Sequence, residues 1–276
     1  MPTQAEKAIQ FQALHQRPGV LVVGNPWDAG TARILTALGY AALSTTSAGL
    51  AFALGKLDGA GVVTREEAFA NARAIVDATP LPVAADLENG YGHSPEEAAE
   101  TIRLAAESCG LVGGSIEDAT GDPAHPIYDF EQAVERISAA AEAAHALPFP
   151  FMLVARAENY LHDRHDLPDT IRRLQAYETA GAEVLYAPGI THPADIREVC
   201  AAVKKPVNVL MGLKGAPPLS VRELGDLGVR RVSIGSGFSR AALTAFVQAA
   251  REVREHETFH FADDTLYISE LTDMFK

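Results

Sequence analysis

The chain has 276 residues, 47% of them apolar, and a formal net charge of −13. Such acidity argues against nucleic acid and against docking on anionic membrane, because both need Lys/Arg-rich surfaces, and it suits a soluble protein that attracts metal cations. No apolar run approaches the roughly 20 residues needed to span a bilayer, and the polar, helix-like stretch 1–12 is no signal peptide.

From residue 20 onward, short β-branched or apolar runs alternate with amphipathic stretches at helical spacing. The pairs are a strand over 20–24 with a helix over 29–38, then 41–45 with 64–78, 82–86 with 94–108, and 111–116 with 129–145. They continue as 151–155 with 167–180, 183–187 with 192–203, 206–210 with 218–227, and 231–235 with 238–254. Helix starts carry caps followed by acids, as in Thr64-Arg-Glu-Glu, Ser94-Pro-Glu-Glu and Ser220-Val-Arg-Glu. Gly39, Gly110, Gly181 and Gly228 each close a helix just before the next strand. Eight such units without a linker predict a (β/α)₈ TIM barrel filling one domain over 1–276, in preference to a doubly wound open sheet. The tail 256–276 mixes Phe259, Phe261 and Tyr267 with acids, so it is expected to pack on its own barrel or on a neighbouring subunit. Cys109 and Cys200 fall late in helices and read as small structural apolar residues, which fits a reducing, cytoplasmic setting.

In such barrels chemistry sits at the carboxyl ends of the strands. There the sequence places Asn25 and Asp28, then Thr45-Thr-Ser-Ala-Gly and Asp58, Asp86 with Glu88, Glu117, Arg156, Tyr186 and Asn208. Carboxylates gathered at one rim repel one another unless a cation shares them, and oxygen-only ligands favour Mg²⁺ or Mn²⁺. Asp86 and Glu88, two apart on an extended segment, face one side. The alternative, that one of them caps the next helix, is weakened because Ser94 takes that place. Asp58 reads equally well as a turn residue in a glycine-rich loop. Of Glu117 and Asp118, strand alternation puts Glu117 inward with Ser115, leaving Asp118 as a hydrogen-bonding partner. Arg156 either pairs with a local acid such as Glu158 or grips a substrate carboxylate in bidentate fashion. The hydroxyls and open backbone of 45–49 suit a carboxylate or simply make a turn. Gly235-Ser-Gly allows a phosphate at a helix start, but tight packing explains it equally well. No lysine beyond the N-terminal segment falls within a strand, which disfavours a Schiff-base aldolase, and the loop histidines lack ligand spacing.

The runs Asn25-Pro-Trp-Asp-Ala, Thr45-Thr-Ser-Ala-Gly-Leu-Ala, Leu54-Gly-Lys-Leu-Asp-Gly, Asp86-Leu-Glu-Asn-Gly-Tyr-Gly, Gly114-Ser-Ile-Glu-Asp and Val154-Ala-Arg, in that order, resemble the isocitrate lyase/phosphoenolpyruvate mutase superfamily. The resemblance implies a Mg²⁺-dependent (β/α)₈ barrel that makes or breaks C–C or C–P bonds beside an enolate of a small 2-oxo- or 2-hydroxy-carboxylate. It also implies a dimer or tetramer that exchanges C-terminal helices between subunits. Carried over by position, Asp86 is the direct metal ligand, while Asp58, Glu88 and Glu117 hold metal-bound waters. Arg156 and the backbone of Thr46, Ser47 and Ala48 bind the substrate carboxylate, with Tyr186 and Asn208 lining the same pocket.

The departures from the family pattern are specific. Its lyases carry Lys-Lys/Arg-Cys-Gly-His in the loop after strand 4, the cysteine acting as acid/base, whereas this loop reads Asp118-Ala-Thr-Gly-Asp-Pro-Ala-His-Pro-Ile-Tyr. The mutases' loop lysine and asparagine are missing too. Ala187 replaces their histidine after strand 6, and Ser44 their aromatic residue. His125 is the candidate for the missing proton carrier, alongside Glu117 and Arg156 as catalytic residues. The expectation is a lyase or decarboxylase. The alternatives are a phosphonopyruvate hydrolase or carboxyphosphonoenolpyruvate mutase, or a protein that binds a 2-oxoacid with Mg²⁺ and catalyses little.

Overall fold

In the structure, a computed structural model, eight parallel strands form a barrel with helices outside. It describes residues 1–59 and 61–276; Ala60, in the glycine-rich loop carrying Asp58, lies outside the described residues. In chain order the elements are α1 (Gln4–Gln16), β1 (Leu21–Val23), α2 (Ala29–Ala37), β2 (Leu43–Ser44), α3 (Ser47–Ala53), α4 (Arg65–Asp77) and β3 (Val83–Asp86). They continue as α5 (Pro95–Cys109), β4 (Gly113–Glu117), α6 (Phe130–His145), β5 (Met152–Arg156), α7 (Leu167–Thr179), β6 (Val184–Tyr186) and α8 (Pro193–Ala202). The last are β7 (Val207–Leu210), α9 (Val221–Asp226), β8 (Arg231–Ser233), α10 (Gly237–His256) and α11 (Ile268–Met274).

The strand order is β1-β8-β7-β6-β5-β4-β3-β2. A parallel bridge between Gly24 and Leu43 joins the two ends, with the Ser44 amide donating to the Gly24 carbonyl at 2.9 Å. A Cβ on Gly24 would lie 2.8 Å from the Tyr40 ring, so the seam needs a residue without a side chain. All eight predicted strand–helix pairs are present, their ends shifted by at most three residues. The caps act as expected: Thr64, Ser94 and Ser220 each accept from the amide three residues on, and the glutamate there reaches back.

Strand alternation splits the apolar side chains into two cores. Outward residues such as Leu43, Val83, Ile116, Leu153 and Leu185 meet the alanine-rich faces of the helices. Inward residues of the lower barrel, including Leu21, Val23, Ala84, Val112, Met152 and Val154, meet Ala8, Phe11 and Leu14 of α1. That helix closes the amino end of the barrel. It is fastened by a Thr3–Glu6 capping box, by Gln4 Nε2 donating to the carbonyls of Ala106 and Leu111, and by Lys7 Nζ donating to that of Thr79.

One element departs from the sequence expectation. Residues 47–53 are the helix α3, capped by Thr46, where a loop was expected; seven small and apolar residues are too few to display a helical stripe. The tail folds back on its own barrel, where Arg33 Nη1 donates to the carbonyl of Phe275 at 2.8 Å. Nonetheless Phe259, Tyr267 and Ile268 are exposed, as are Leu243, Phe246 and Val247 of α10.

Candidate active site

The upper end of the barrel is built around one guanidinium. Arg156, at the end of β5, donates through Nη1 to Asp86 Oδ1 at 2.8 Å and through Nε to Glu158 Oε1 at 2.8 Å, and its Nη2 forms an ion pair with Glu117 Oε2 at 3.0 Å. All four residues are largely buried, and the ring of Tyr186 lies 5.3 Å from the same guanidinium. Strand register explains the convergence, because Glu117, Arg156 and Tyr186 are Cα partners across β4, β5 and β6. Ser115 and Asp86 pair across β4 and β3 in the same way.

Asp86 is further held by the Ser115 hydroxyl at 3.4 Å, the Ser47 amide at 3.3 Å and the Glu88 amide at 3.4 Å. Burial alone would raise its pKa, but Arg156 and the donors from Ser47 and Glu88 outweigh burial, so the carboxyl sits below the ordinary aspartate range. Its neighbours go the other way. Burial and then the charges of Asp86 and Asp58 push Glu88 up to about 7. Burial, opposed by Arg156 and reinforced by Glu158, Asp86 and Glu88, carries Glu117 well above the usual glutamate value. Asp58 and Glu158 are raised too, first by burial and, for Asp58, next by Asp86. One arginine is thus shared among five carboxyl groups, which is the electrostatic surplus a bound cation would relieve.

The segment after β3 holds this arrangement under strain. Glu88 and Tyr91 adopt φ of +48° and +56°, a left-handed conformation that costs a non-glycine residue about 1–3 kcal/mol. Arg136 of α6 compensates by donating to the carbonyls of Asn89 and Ser94, stacked 4.4 Å from the Tyr128 ring. Thr101 donates to the carbonyl of Gly90 at 2.7 Å, and the Glu117 amide to that of Glu88 at 3.0 Å.

Two connected cavities open here. The outer one, about 1030 Å³, is lined by Asp58, Glu88, Glu117, Arg156 and Glu158, together with His93 and His162. The inner one, about 230 Å³, runs into the barrel past Thr46, Ser47, Ala48, Asp58, Asp86, Arg156, Tyr186 and Asn208. The structure therefore brings together the four acids, the arginine and the five other pocket residues expected from sequence. Among the described residues, no group of three or more His, Cys, Asp or Glu side chains is spaced to hold a metal as it stands, because Arg156 occupies the space between the acids.

His125 is a different matter. Its side chain is 85% exposed and stands 3.3 Å from Asp122, away from both cavities. The cause is local: an antiparallel bridge between Ala119 and Ile127 folds the loop after β4 into a hairpin, with Asp122 on the outer cavity wall and His125 exposed at the tip. Asp118 is the buried hydrogen-bonding partner expected from alternation. It accepts from the Tyr177 hydroxyl at 2.6 Å, Arg173 Nη1 at 3.1 Å and the Glu158 amide at 2.8 Å. Glu158 was legible only as a local partner for Arg156, and Arg231 on the inner cavity wall was not singled out. The signal was present, since Arg231 and Ser233 flank the outward Val232 of β8.

Residues 11–254 match the phosphoenolpyruvate phosphomutase family. A Burkholderia cenocepacia J2315 structure described as a lyase/mutase superposes with a TM-score of 0.95 at 55% identity, covering 99% of this chain and 96% of that one. The 2-methylisocitrate lyase of Escherichia coli (strain K12) is 30% identical over 215 residues, 76% of this chain and 71% of the lyase. The oxaloacetate decarboxylase of Bradyrhizobium diazoefficiens is 31% identical over 250 residues, 88% of this chain and 82% of the decarboxylase.

Proposed function

Since the chain belongs to the phosphoenolpyruvate mutase family, we propose that it is a divalent-metal-dependent lyase or decarboxylase acting on a small 2-oxo- or 2-hydroxy-carboxylate through an enolate. One observation carries the reading: Arg156 is gripped by Asp86, Glu117 and Glu158 at the carboxyl end of a parallel barrel, with Asp58 and Glu88 on the same cavity wall. That all-oxygen donor set suits Mg²⁺ or Mn²⁺, with Asp86 as direct ligand and Asp58, Glu88 and Glu117 acting through water. When bound, such an ion would draw charge from the substrate's C2 oxygen as the neighbouring bond breaks.

The protein's own groups would do the rest. Asp86 is held ionised, ready to meet a cation without first losing a proton. We assign the substrate carboxylate to Arg156 and to the backbone of Thr46, Ser47 and Ala48 at the start of α3. Tyr186 and Asn208 would orient the remainder of the substrate and keep water out. Decarboxylase or C–C lyase chemistry is favoured over phosphonate chemistry because the mutases' loop lysine and asparagine are absent. We also propose a homo-oligomer in which the apolar face of α10 meets a second copy, with exchange of C-terminal helices.

The test is a screen of 2-oxo- and 2-hydroxy-acids, with Mg²⁺ and with chelator, read by substrate consumption and by calorimetric binding. Metal-dependent turnover of at least one of them supports the reading. Binding of oxaloacetate or 2-oxoglutarate without turnover of any candidate would favour a binding protein, which the outward-facing His125 also allows. Tyr186→Phe should lower turnover while binding persists, whereas His125→Ala should stay within twofold of wild type.

A further inference from the structure

Arg231 opens β8 with its side chain turned into the barrel. It is 4% exposed, and its Nε has no hydrogen-bond partner among the described residues. Burial pulls its pKa down to about 10, and the group that opposes this is Tyr186, with no carboxylate contributing. Of the other buried arginines, Arg156 has three carboxylates and Arg173 has Asp118 and Asp169, while Arg136, whose Nε is also unpartnered among the described residues, has two carbonyls and a ring. A guanidinium taken out of water without an anion is costly, so this exception calls for a ligand.

Its surroundings point the same way. Arg231 shares the inner cavity with Asn208, Ser233 and Tyr186, below the end that carries Asp86 and Arg156. Asn208 Nδ2 donates to Ser233 Oγ at 2.9 Å, while Asn208 Oδ1 has no partner among the described residues. Turning that amide over would let Oδ1 accept from the serine hydroxyl and leave Nδ2 as a buried donor without a partner among the described residues. An anion entering from above meets acids first, and the guanidinium there is already claimed by three of them. Arg231 is then the cation with an unclaimed donor on the cavity wall.

We propose that Arg231, with Asn208 and Ser233, forms an anion subsite inside the barrel that receives the second carboxylate of a dicarboxylate substrate, making it the residue that selects diacids long enough to reach it, such as malate, over shorter ligands. This rests on the reading of the upper site as a metal-dependent carboxylate site and adds the class of substrate.

The experiment is calorimetric titration of wild type, Arg231→Met and Arg231→Lys with Mg²⁺ present, using oxalate and malate. Oxalate is short enough to be held wholly at the upper end, whereas malate extends further. Arg231→Met should weaken malate at least tenfold and leave oxalate within twofold. Arg231→Lys, which keeps the charge without the planar fork, should lose malate several-fold and carries the comparison if the methionine variant does not fold. Unchanged malate affinity, or a parallel loss of both ligands, overturns the proposal. If wild type binds neither ligand with Mg²⁺, the reading of the upper site has failed instead. The inner subsite is then judged by succinate in chelator: a rise in melting temperature for wild type that Arg231→Met lacks supports it, and no rise in wild type overturns it.

Discussion

Arg156 Nη1 lies 2.8 Å from Asp86 Oδ1 and so joins the ends of β5 and β3 across the mouth of the barrel. The contact keeps two functions in balance. It neutralises an acid that would otherwise repel Glu117 and Glu88, and it holds a guanidinium where a carboxylate ligand would arrive.

Removing that guanidinium should therefore do more than weaken ligand binding. In Arg156→Ala, Asp86, Glu117 and Glu158 face one another in a buried site, and losing one partner of a buried pair costs about 3–5 kcal/mol. The expected result is a lower urea midpoint in chelator, partly restored by Mg²⁺ because the ion replaces the missing charge. Carboxylate ligands should weaken by about 2–5 kcal/mol in calorimetry. A variant as stable as wild type in chelator would show that the acids are already protonated and need no counter-ion.

Asp86→Asn separates the metal from the arginine. Asparagine keeps the size and can still accept from Arg156, but it removes the charge held lowest among the rim acids. Mg²⁺-dependent ligand binding should disappear while the melting temperature in chelator changes by a few degrees at most. Retention of Mg²⁺-dependent binding would take Asp86 out of the site.

Glu117 and Asp118 are neighbours with opposite fates, and alternation along β4 decides them. Glu117 turns inward to Arg156, whereas Asp118 turns outward to Tyr177 and Arg173 of α7. Asp118→Ala strands a buried hydroxyl and a buried guanidinium, so unfolding should become easier by about 3–5 kcal/mol. The folded fraction should keep its Mg²⁺ affinity. A lost metal affinity with unchanged stability would reverse the two assignments.

Much of this was legible because a barrel strand has a period of two. Gly113-Gly-Ser-Ile-Glu displays Ser115 and Glu117 on one face, and Phe151-Met-Leu-Val-Ala-Arg ends on Arg156, so rim and core could be separated residue by residue. What escaped depended on contacts between distant segments. The helix α3 is too short to show a stripe, and Glu158 is held in place by Arg156 and, through its amide, by Asp118, which lies forty residues away. The outward position of His125 follows from a bridge between Ala119 and Ile127 that no local signal announces.

His15 gives a pH prediction far from the proposed metal site. It sits in α1 with Nδ1 donating to the carbonyl of Phe11 at 2.8 Å, and its Nε2 lacks a partner among the described residues. Burial, followed by the nearby Arg231 charge, brings its pKa down from 6.5 to about 4. A folded-state pKa below the unfolded one means the unfolded chain binds the extra proton first. Stability from this group is therefore complete above pH 6.5 and is lost as pH falls towards 4, by roughly 3 kcal/mol in all at about 1.36 kcal/mol per pKa unit. His15→Phe should flatten that limb of the stability–pH curve, measured by urea unfolding across this window. A limb unchanged by the substitution would assign the acid sensitivity to the carboxylates instead.

The last prediction concerns α10, a helix of 20 residues in which only Ser239 is buried. Leu243, Phe246 and Val247 stand exposed on it. A contiguous apolar stripe on a long helix marks a contact surface, and in a symmetric dimer the same stripe serves both copies. Phe246→Glu should then convert the proposed oligomer to monomer in light scattering at micromolar concentration, with the far-ultraviolet circular dichroism of the barrel preserved. Because α10 begins just after β8, whose Ser233 lines the inner cavity, the monomer should also bind malate more weakly than the assembly does. An oligomer that survives a glutamate at this position would place the interface elsewhere and leave the stripe without a partner.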